Sequence, residues 1–514
     1  MSTFVLDAVA RQGREQPGSL ALSGRRCELT YRELAVAIER FAAQLRASPA
    51  RVIGLALDNS PLWAVLDLAG LRAAKPVIPL PFFFSTEQVA HSIRDAGIDC
   101  ILTDQPEAYR KLLEAVGIGI GAVFAHELNG QTFSDIRLRD IAAKPLPAGT
   151  VKVTYTSGTT GNPKGVCLGA DALHQVASSL LAATRAGADD RHVSVLPLST
   201  LLENLAGVYV PLLAGASCHL LPLAEVGLSG SSGLDVKKML AALIEGNATT
   251  TILTPQLLHA LVAAVEAGHP APPQLRFVAV GGAPVAERLL QRAEQLGLPV
   301  FEGYGLSECA SVVALNSEAE RRSGSVGKPL PHAQIRFAED GEILVAGATL
   351  LGYTGDAPLQ PGQFWPSGDI GYLDDDGFLY LTGRKKNIFI TSFGRNVAPE
   401  WVERELTLHP AIAQAAVFGE ARPWNVAVIV PRGSAPGAIN QAIAEANSML
   451  PDYARVECWL PAQAPFLPQN GQLTANGRLK REAIWQAYRT SIERLYEENA
   501  DDNLPNISTP GGMA

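Results

Sequence analysis

Tyr155-Thr-Ser-Gly-Thr-Thr-Gly-Asn-Pro-Lys-Gly165 gathers three glycines, four Ser/Thr hydroxyls and one lysine into eleven residues. Glycines let backbone N–H groups turn toward an anion with no side chain in the way. The hydroxyls donate to phosphate oxygens and Lys164 adds a point charge, so the stretch reads as a phosphate-cradling loop. It is not a Walker A loop: Gly-x-x-x-x-Gly-Lys-Ser/Thr is absent, because Pro163 precedes Lys164 and Gly165 follows it. A β-type run at 150–154 leads into it.

Outward from that loop, short β-rich runs alternate with helical ones. Residues 52–57, 76–80 and 100–103 read as extended, and 62–74 and 86–96 as helices. Compact apolar runs follow at 193–196, 250–253 and 277–280, with helices predicted at 255–267 and 284–296. Such alternation implies parallel sheets covered by helices, an α/β class. The Gly/Ser-rich stretch 227–233 reads as a flexible connector before a helix capped by Asp235. From about 334 the pattern changes to short alternating segments at 335–338, 341–345, 369–373 and 377–381 with Asp/Gly turns, which read as antiparallel hairpins. After Gly383 a smaller unit follows, with helices predicted at 399–408, 438–449 and 481–497 and strands at 415–418 and 426–430. Residues 498–514 form a polar tail expected to be disordered.

Composition narrows the classes. The 514 residues carry 42 Lys+Arg against 51 Asp+Glu, a net charge of −9. That balance argues against a chain whose main task is gripping nucleic acid. Six scattered cysteines with no Cys-x-x-Cys pair suit a reducing compartment better than a disulfide framework or a zinc site. The first ten residues lack the basic start and apolar run of a signal peptide. The most apolar stretch, 62–84, is broken by Asp67, Arg72, Lys75 and three prolines, too interrupted for an integral membrane segment. A cytoplasmic protein is expected. There is no His-Glu-x-x-His, no Gly-x-Ser-x-Gly elbow, and no Gly-x-Gly-x-x-Gly opening a helix after a strand.

The phosphate loop has companions. Val280-Gly-Gly-Ala-Pro284, Glu302-Gly-Tyr-Gly-Leu-Ser-Glu308, Ser367-Gly-Asp369, Gly383-Arg-Lys-Lys386 and Gly394-Arg-Asn-Val-Ala-Pro-Glu400 follow it in order. Together these segments resemble the adenylate-forming superfamily of acyl-CoA synthetases, peptide-synthetase adenylation domains and beetle luciferases, most nearly the fatty acyl-CoA synthetases. The resemblance spans roughly 20–487. It implies an α/β fold: a large N-terminal domain (1–383) of parallel and mixed sheets with a small antiparallel barrel-like part, a hinge (384–386) and a small mobile α+β lid (387–497).

It also implies roles. Ser157, Gly158, Thr159, Thr160, Gly161 and Lys164 would hold the triphosphate of ATP, with Thr160 also catalytic. Gly282, Ala283 and Pro284, with Gly303, Tyr304, Gly305 and Ser307, would form the adenosine site, Tyr304 stacking on the base. Asp369, with Arg384 nearby, would take the ribose hydroxyls, and Glu308 would hold Mg²⁺. Lys386 would be the pivot and Gly394 would flank the thiol tunnel. Taken alone, Glu308 would more often be a solvated carboxylate and Asp369 a turn-former; only the constellation lifts them. The implied reaction turns a small-molecule carboxylic acid, a medium- or long-chain fatty acid foremost, into acyl-AMP and pyrophosphate. The acyl group would then pass to coenzyme A, or to phosphopantetheine on an acyl carrier protein.

One position departs from the family. The expected Leu-Thr-x-x-Gly-Lys reads Leu473-Thr-Ala-Asn-Gly-Arg478-Leu-Lys480, with arginine in the lysine's place. Lys480 would share a face with residue 478 if the segment is extended. Arg478 itself would suit a carboxylate–phosphate bridge, although the two cations are not interchangeable. The third reading is weak adenylation or a nucleotide-binding pseudoenzyme. Near Leu196-Pro-Leu-Ser-Thr-Leu-Leu-Glu203, no Asp stands ready for an amino-acid ammonium, and Glu203 would serve only by another geometry. Gly281 to Ala283 would leave room for an acyl chain that Leu201, Leu202 and Leu205 would line, unless these leucines are plain core.

Overall fold

The computed structural model describes residues 4–25, 27–142, 145–156, 163–229, 233–360, 362–433, 436–474 and 477–498. Two large sheets organise the first 330 or so residues. One has eight strands in the order Gly352–Tyr353, Lys164–Gly169, Thr150–Thr156, Val77–Pro79, Ile53–Ala56, Cys100–Thr103, Gln131–Leu138, Ile120–Leu128. Its centre is parallel and its flanks antiparallel. All four residues of Ile53–Ala56 are buried, as a strand covered on both faces requires. The other has nine strands, whose inner members Val300–Tyr304, Phe277–Val280, Thr250–Leu253, Arg191–Val193, Ser217–His219 and Leu20–Ser23 run parallel.

Helix Pro61–Arg72, begun by Ser60 as cap and Pro61 at its first turn, is buried at every residue from 61 to 70. It carries Asp67 into a sealed network. Lys152 of the first sheet donates to Asp67 at 2.8 Å, and Asn204 and Tyr209, from the helical run beside the second sheet, donate to the same carboxylate at 3.1 and 2.8 Å. Burial lowers the pKa of the Lys152 ammonium while Asp67 opposes the shift. Loss of either partner would strand a buried charge, so the network ties the two sheets in one arrangement.

Strands Ala333–Phe337, Glu342–Gly347, Trp365–Leu373 and Leu379–Arg384 make a four-stranded antiparallel sheet where the small antiparallel part was expected. Beyond it, helix Pro399–Thr407 and helices Pro436–Ser448 and Arg481–Glu498 accompany a three-stranded sheet, Ile412–Phe418, Asn425–Pro431 and Val456–Pro461. Arg481 anchors this unit internally by pairing with Glu403, and with Glu400 at 3.4 Å. The α/β class therefore stands, with a separate C-terminal unit.

Several local expectations shift. Helix Thr86–Ala96 and strands Cys100–Thr103, Thr250–Leu253 and Phe277–Val280 lie where predicted. The strand expected at 193–196 is Arg191–Val193 instead: Leu196 lies beyond the ladder, its carbonyl taken by Asn59 Nδ2 at 2.8 Å. Stretch 227–233 is not simply a loose connector, because Leu228–Ser229 pairs with Gly233–Leu234. Asp235 caps the following helix as expected, accepting from Lys237 and Lys238 N–H. The tail at 499–514 lies outside the described residues.

Candidate active site

The C-terminal unit closes over the carboxyl ends of the parallel strands and encloses a cleft of about 2480 Å³. Lys164, Gly282, Ala283, Pro284, Gly303, Tyr304, Gly305, Ser307, Glu308, Asp369, Arg384, Lys386, Arg478 and Lys480 all line it. Ligands of open α/β sheets are held at this edge of the strands. Ser157, Gly158, Thr159, Thr160 and Gly161 lie outside the described residues. The strands on either side are described, and they pair as a hairpin from Thr150 against Gly169 to Thr156 against Lys164. The start of the second of these strands is held from helix Thr86–Ala96, where His91 Nε2 sits 2.9 Å from the Pro163 carbonyl. Tyr155 donates to Asp95 at 2.9 Å on the same helix.

Tyr304 ends strand Val300–Tyr304 and is buried. Its hydroxyl donates to Asp369 Oδ2 at 2.7 Å, while Arg384 Nε holds Asp369 Oδ1 at 2.7 Å. Asp369 was expected to open an extended segment at 369–373. It lies inside strand Trp365–Leu373, directly opposite Arg384 in the ladder, so sheet register fixes the pair. Burial raises the Asp369 carboxyl above its ordinary range, against the pull of Arg384 and Tyr304. A carboxylate so placed has lone pairs to offer neighbouring hydroxyl groups.

Glu308 sits on the short 3₁₀ turn Ser307–Cys309. Its backbone carbonyl accepts from Leu350 N–H at 2.7 Å, and Tyr353 donates to Oε1 at 2.9 Å. Lys164 Nζ lies 5.1 Å from the Tyr353 ring centre, which brings this lysine to the Glu308 side of the cleft. Among the described residues no cluster of three or more His, Cys, Asp or Glu is gathered for a metal. The half-buried Glu308 carboxylate suits a magnesium ion that brings phosphate oxygens and water as its other ligands.

Residues 477–480 reach into this cleft from the C-terminal unit, held by backbone bonds from Thr474 N–H to the Arg478 carbonyl at 2.7 Å and from Lys480 N–H to Gln472 at 2.9 Å. Arg478 donates to the Gly282 carbonyl at 3.1 Å. Its guanidinium is deep within the molecule yet faces open cleft, which is why its side chain remains exposed. Burial and Arg384 lower its pKa, while Asp369 and Glu308 raise it. Arg478 is therefore set, with Arg384, near the carboxylates of Asp369 and Glu308. Lys480 lines the cleft, with no side-chain hydrogen bond or ion pair among the described residues. Lys386 lies close by, its pKa lowered by burial and by Arg384 and Arg478. Gly394, in the turn between the short strands Phe389–Ile390 and Asn396–Val397, is not brought to the cleft, although Asn396 is.

A branch of the cleft runs between the nine-stranded sheet and its covering helices. Leu201 and Leu202 line it with Gly281, but Leu205 does not and belongs to the core. Glu203 is fully buried against His192 rather than open to a ligand's ammonium. The buried Glu302 went unremarked in the sequence. Burial pushes its carboxyl up to about 8, with Arg404 of the C-terminal unit opposing, and Val285 N–H donates to it at 3.3 Å. Its position directly before Gly303-Tyr304 was the available signal.

Known proteins resemble this chain along most of its length. The family model for AMP-binding enzymes matches residues 9–353, and that for the AMP-binding enzyme C-terminal domain matches 386–500. The chain is 26% identical to a long-chain-fatty-acid–CoA ligase of Mycobacterium bovis, over 85% of this chain and 86% of the relative. It is 29% identical to a 2-succinylbenzoate–CoA ligase of Bacillus subtilis, over 80% and 84%. The solved anthranilate CoA ligase bound to anthranoyl-AMP shares its fold, with a TM-score of 0.79, 18% identity, and 95% and 98% of the two chains covered.

Proposed function

Because this chain belongs to the AMP-binding enzyme family, we propose that it is an acid–thiol ligase that joins a carboxylic acid to the α-phosphate of ATP, releases pyrophosphate, and passes the acyl group to coenzyme A. The observation that carries this reading is the single cleft shared by Lys164, Glu308, Asp369, Arg384 and Arg478. One end offers cations and carboxylates to a nucleotide, and the other an apolar branch to an acyl group.

In this reading Asp369, held by Tyr304 and Arg384, accepts from the ribose hydroxyls. Gly303 and Gly305 leave the walls of the adenosine site free of side chains, with Gly282, Ala283, Pro284 and Ser307 completing it. Lys164 and the loop 157–161 hold the β- and γ-phosphates. Glu308 would hold magnesium, which supplies charge neutralisation on the phosphates when bound. Arg478 bridges the entering carboxylate and the α-phosphate, drawing together two anions that would otherwise repel. A carboxylate oxygen then bonds to the α-phosphorus as the bond to the bridging oxygen breaks, and the electron pair leaves with pyrophosphate. Little else is needed beyond positioning and charge stabilisation. In the second half-reaction the thiol sulfur, losing its proton, attacks the acyl carbon and AMP departs. A pivot near Lys386 would bring the Gly394 turn to the cleft for that step.

Medium- and long-chain fatty acids are the first acids to test, in line with the Mycobacterium bovis relative's substrate class. The test is acid-dependent exchange of pyrophosphate into ATP across a panel of alkanoic and aryl acids, followed by thioester formation with coenzyme A or a holo-carrier protein. Exchange with at least one acid supports the reading, and silence with every acid defeats it.

A further inference from the structure

The acyl branch ends on a buried polar relay. Its floor follows the register of the sheet: His192 pairs with Thr250, and Thr250 with Phe277, in one row across three strands. Gly281, at the mouth, lies four residues beyond Phe277 along the chain, so the row sits about 13 Å down the branch at the usual strand rise. His192, Thr250 and Phe277 all line the cavity.

At this depth an alkyl pocket would present only apolar groups. Instead, His192 Nδ1 lies 2.9 Å from Thr250 Oγ1 and Nε2 lies 3.1 Å from Glu203 Oε1. Glu203 is 0% exposed, and its second oxygen, Oε2, is buried with no partner among the described residues. Room for the pair comes from Gly207 in the π-helical turn Leu205–Tyr209: a Cβ there would stand 2.7 Å from Glu203 Oε1 and 2.8 Å from His192 Nε2. Single π turns of this kind recur at functional sites.

The hydrogen bonds set a direction. An ionised Glu203 only accepts, so the proton between the pair belongs to His192 Nε2. In the neutral ring Nδ1 then accepts from the Thr250 hydroxyl. What remains on Thr250 Oγ1 and Glu203 Oε2 is acceptor capacity alone.

The geometry points to Thr250, oriented through His192 and Glu203, as the group that reads the far end of the acyl substrate and selects acids carrying a hydrogen-bond donor there, a hydroxyl or amine. This refinement rests on the adenylating function proposed above. A site built to hydrogen-bond a substrate rejects an analogue lacking the group far better than an apolar pocket rejects an added one. The test uses matched pairs of acids, each with and without a distal hydroxyl, assayed by ATP–pyrophosphate exchange. The full-length wild type should favour the hydroxylated member by at least ~10-fold in kcat/KM. Thr250→Val and Glu203→Gln should each bring that ratio toward one, and Thr250→Ser should keep it. A wild type that favours the unsubstituted members, or a preference that survives both variants, overturns the inference while leaving the ligase reading intact. Silence with every acid overturns the ligase reading and this refinement with it.

Discussion

Arg478 stands where the family carries lysine, and the structure distinguishes the two cations of its segment. Arg478 reaches the Gly282 carbonyl and feels Asp369, Glu308 and Arg384, whereas Lys480 has no such partners among the described residues. Replacing Arg478 with alanine should lower the pyrophosphate-exchange rate by about 10²- to 10³-fold, the scale of losing one charge-stabilising donor. Lys480→Ala should change it by less than roughly 5-fold, as expected of a solvated surface charge. Equal losses in both variants would contradict the assignment. Glu302 gives a second test. Its carboxyl, held protonated to about pH 8 by burial, would release its proton near 4.5 when exposed. Between those values the folded state binds more protons than the unfolded one, so this group's contribution to stability falls as pH rises through the window and levels off above it. Glu302→Gln keeps an acceptor for Val285 N–H and removes the titration. The loss of stability from pH 5 to pH 8.5, read as urea midpoints, should be smaller in this variant than in wild type. An unchanged difference would refute the burial argument.

At the scale of elements, Gly305 shows how backbone proximity shapes the site. A Cβ at this position would lie 1.6 Å from the Ser311 carbonyl oxygen, so the turn carrying Glu308 folds back only over a bare glycine. Gly305→Ala should displace that turn and lower the exchange rate by at least ~10-fold, with circular dichroism of the folded protein little changed. A fully active variant would show that the turn adapts. This scale also marks where reading from sequence succeeds and fails. The motifs that gather at the cleft were legible because glycines, hydroxyls and charges at fixed spacing announce their own backbone needs. That Asp369 stands directly opposite Arg384 in a ladder was not legible from local composition, which does not encode cross-strand partners; only the resemblance put the two near each other. The hairpin Ile120–Leu128 and Gln131–Leu138 was missed, although Asn129-Gly130, at φ +46° and +78°, is the signature of a tight hairpin turn. The His192–Glu203 contact joins a strand to a later helix, and its only local trace is a glutamate set among leucines.

For the molecule as a whole, the two sheets are locked together by the buried Asp67–Lys152 network, whereas the C-terminal unit meets them across the cleft. Such a design suits a rigid base and a moving cover. Proline at 386 would restrict the backbone at the expected pivot. Lys386→Pro should therefore retain acyl-AMP formation while losing thioester formation, measured by exchange and by thiol consumption in parallel. Equal effects on both steps would place the pivot elsewhere. Adenylation of an acid in the shared cleft is read without intermediary steps by ATP–pyrophosphate exchange of the wild-type protein. Exchange should require an added carboxylic acid and fall with Arg478→Ala. Exchange that is absent for every acid, or indifferent to the loss of Arg478, would contradict it.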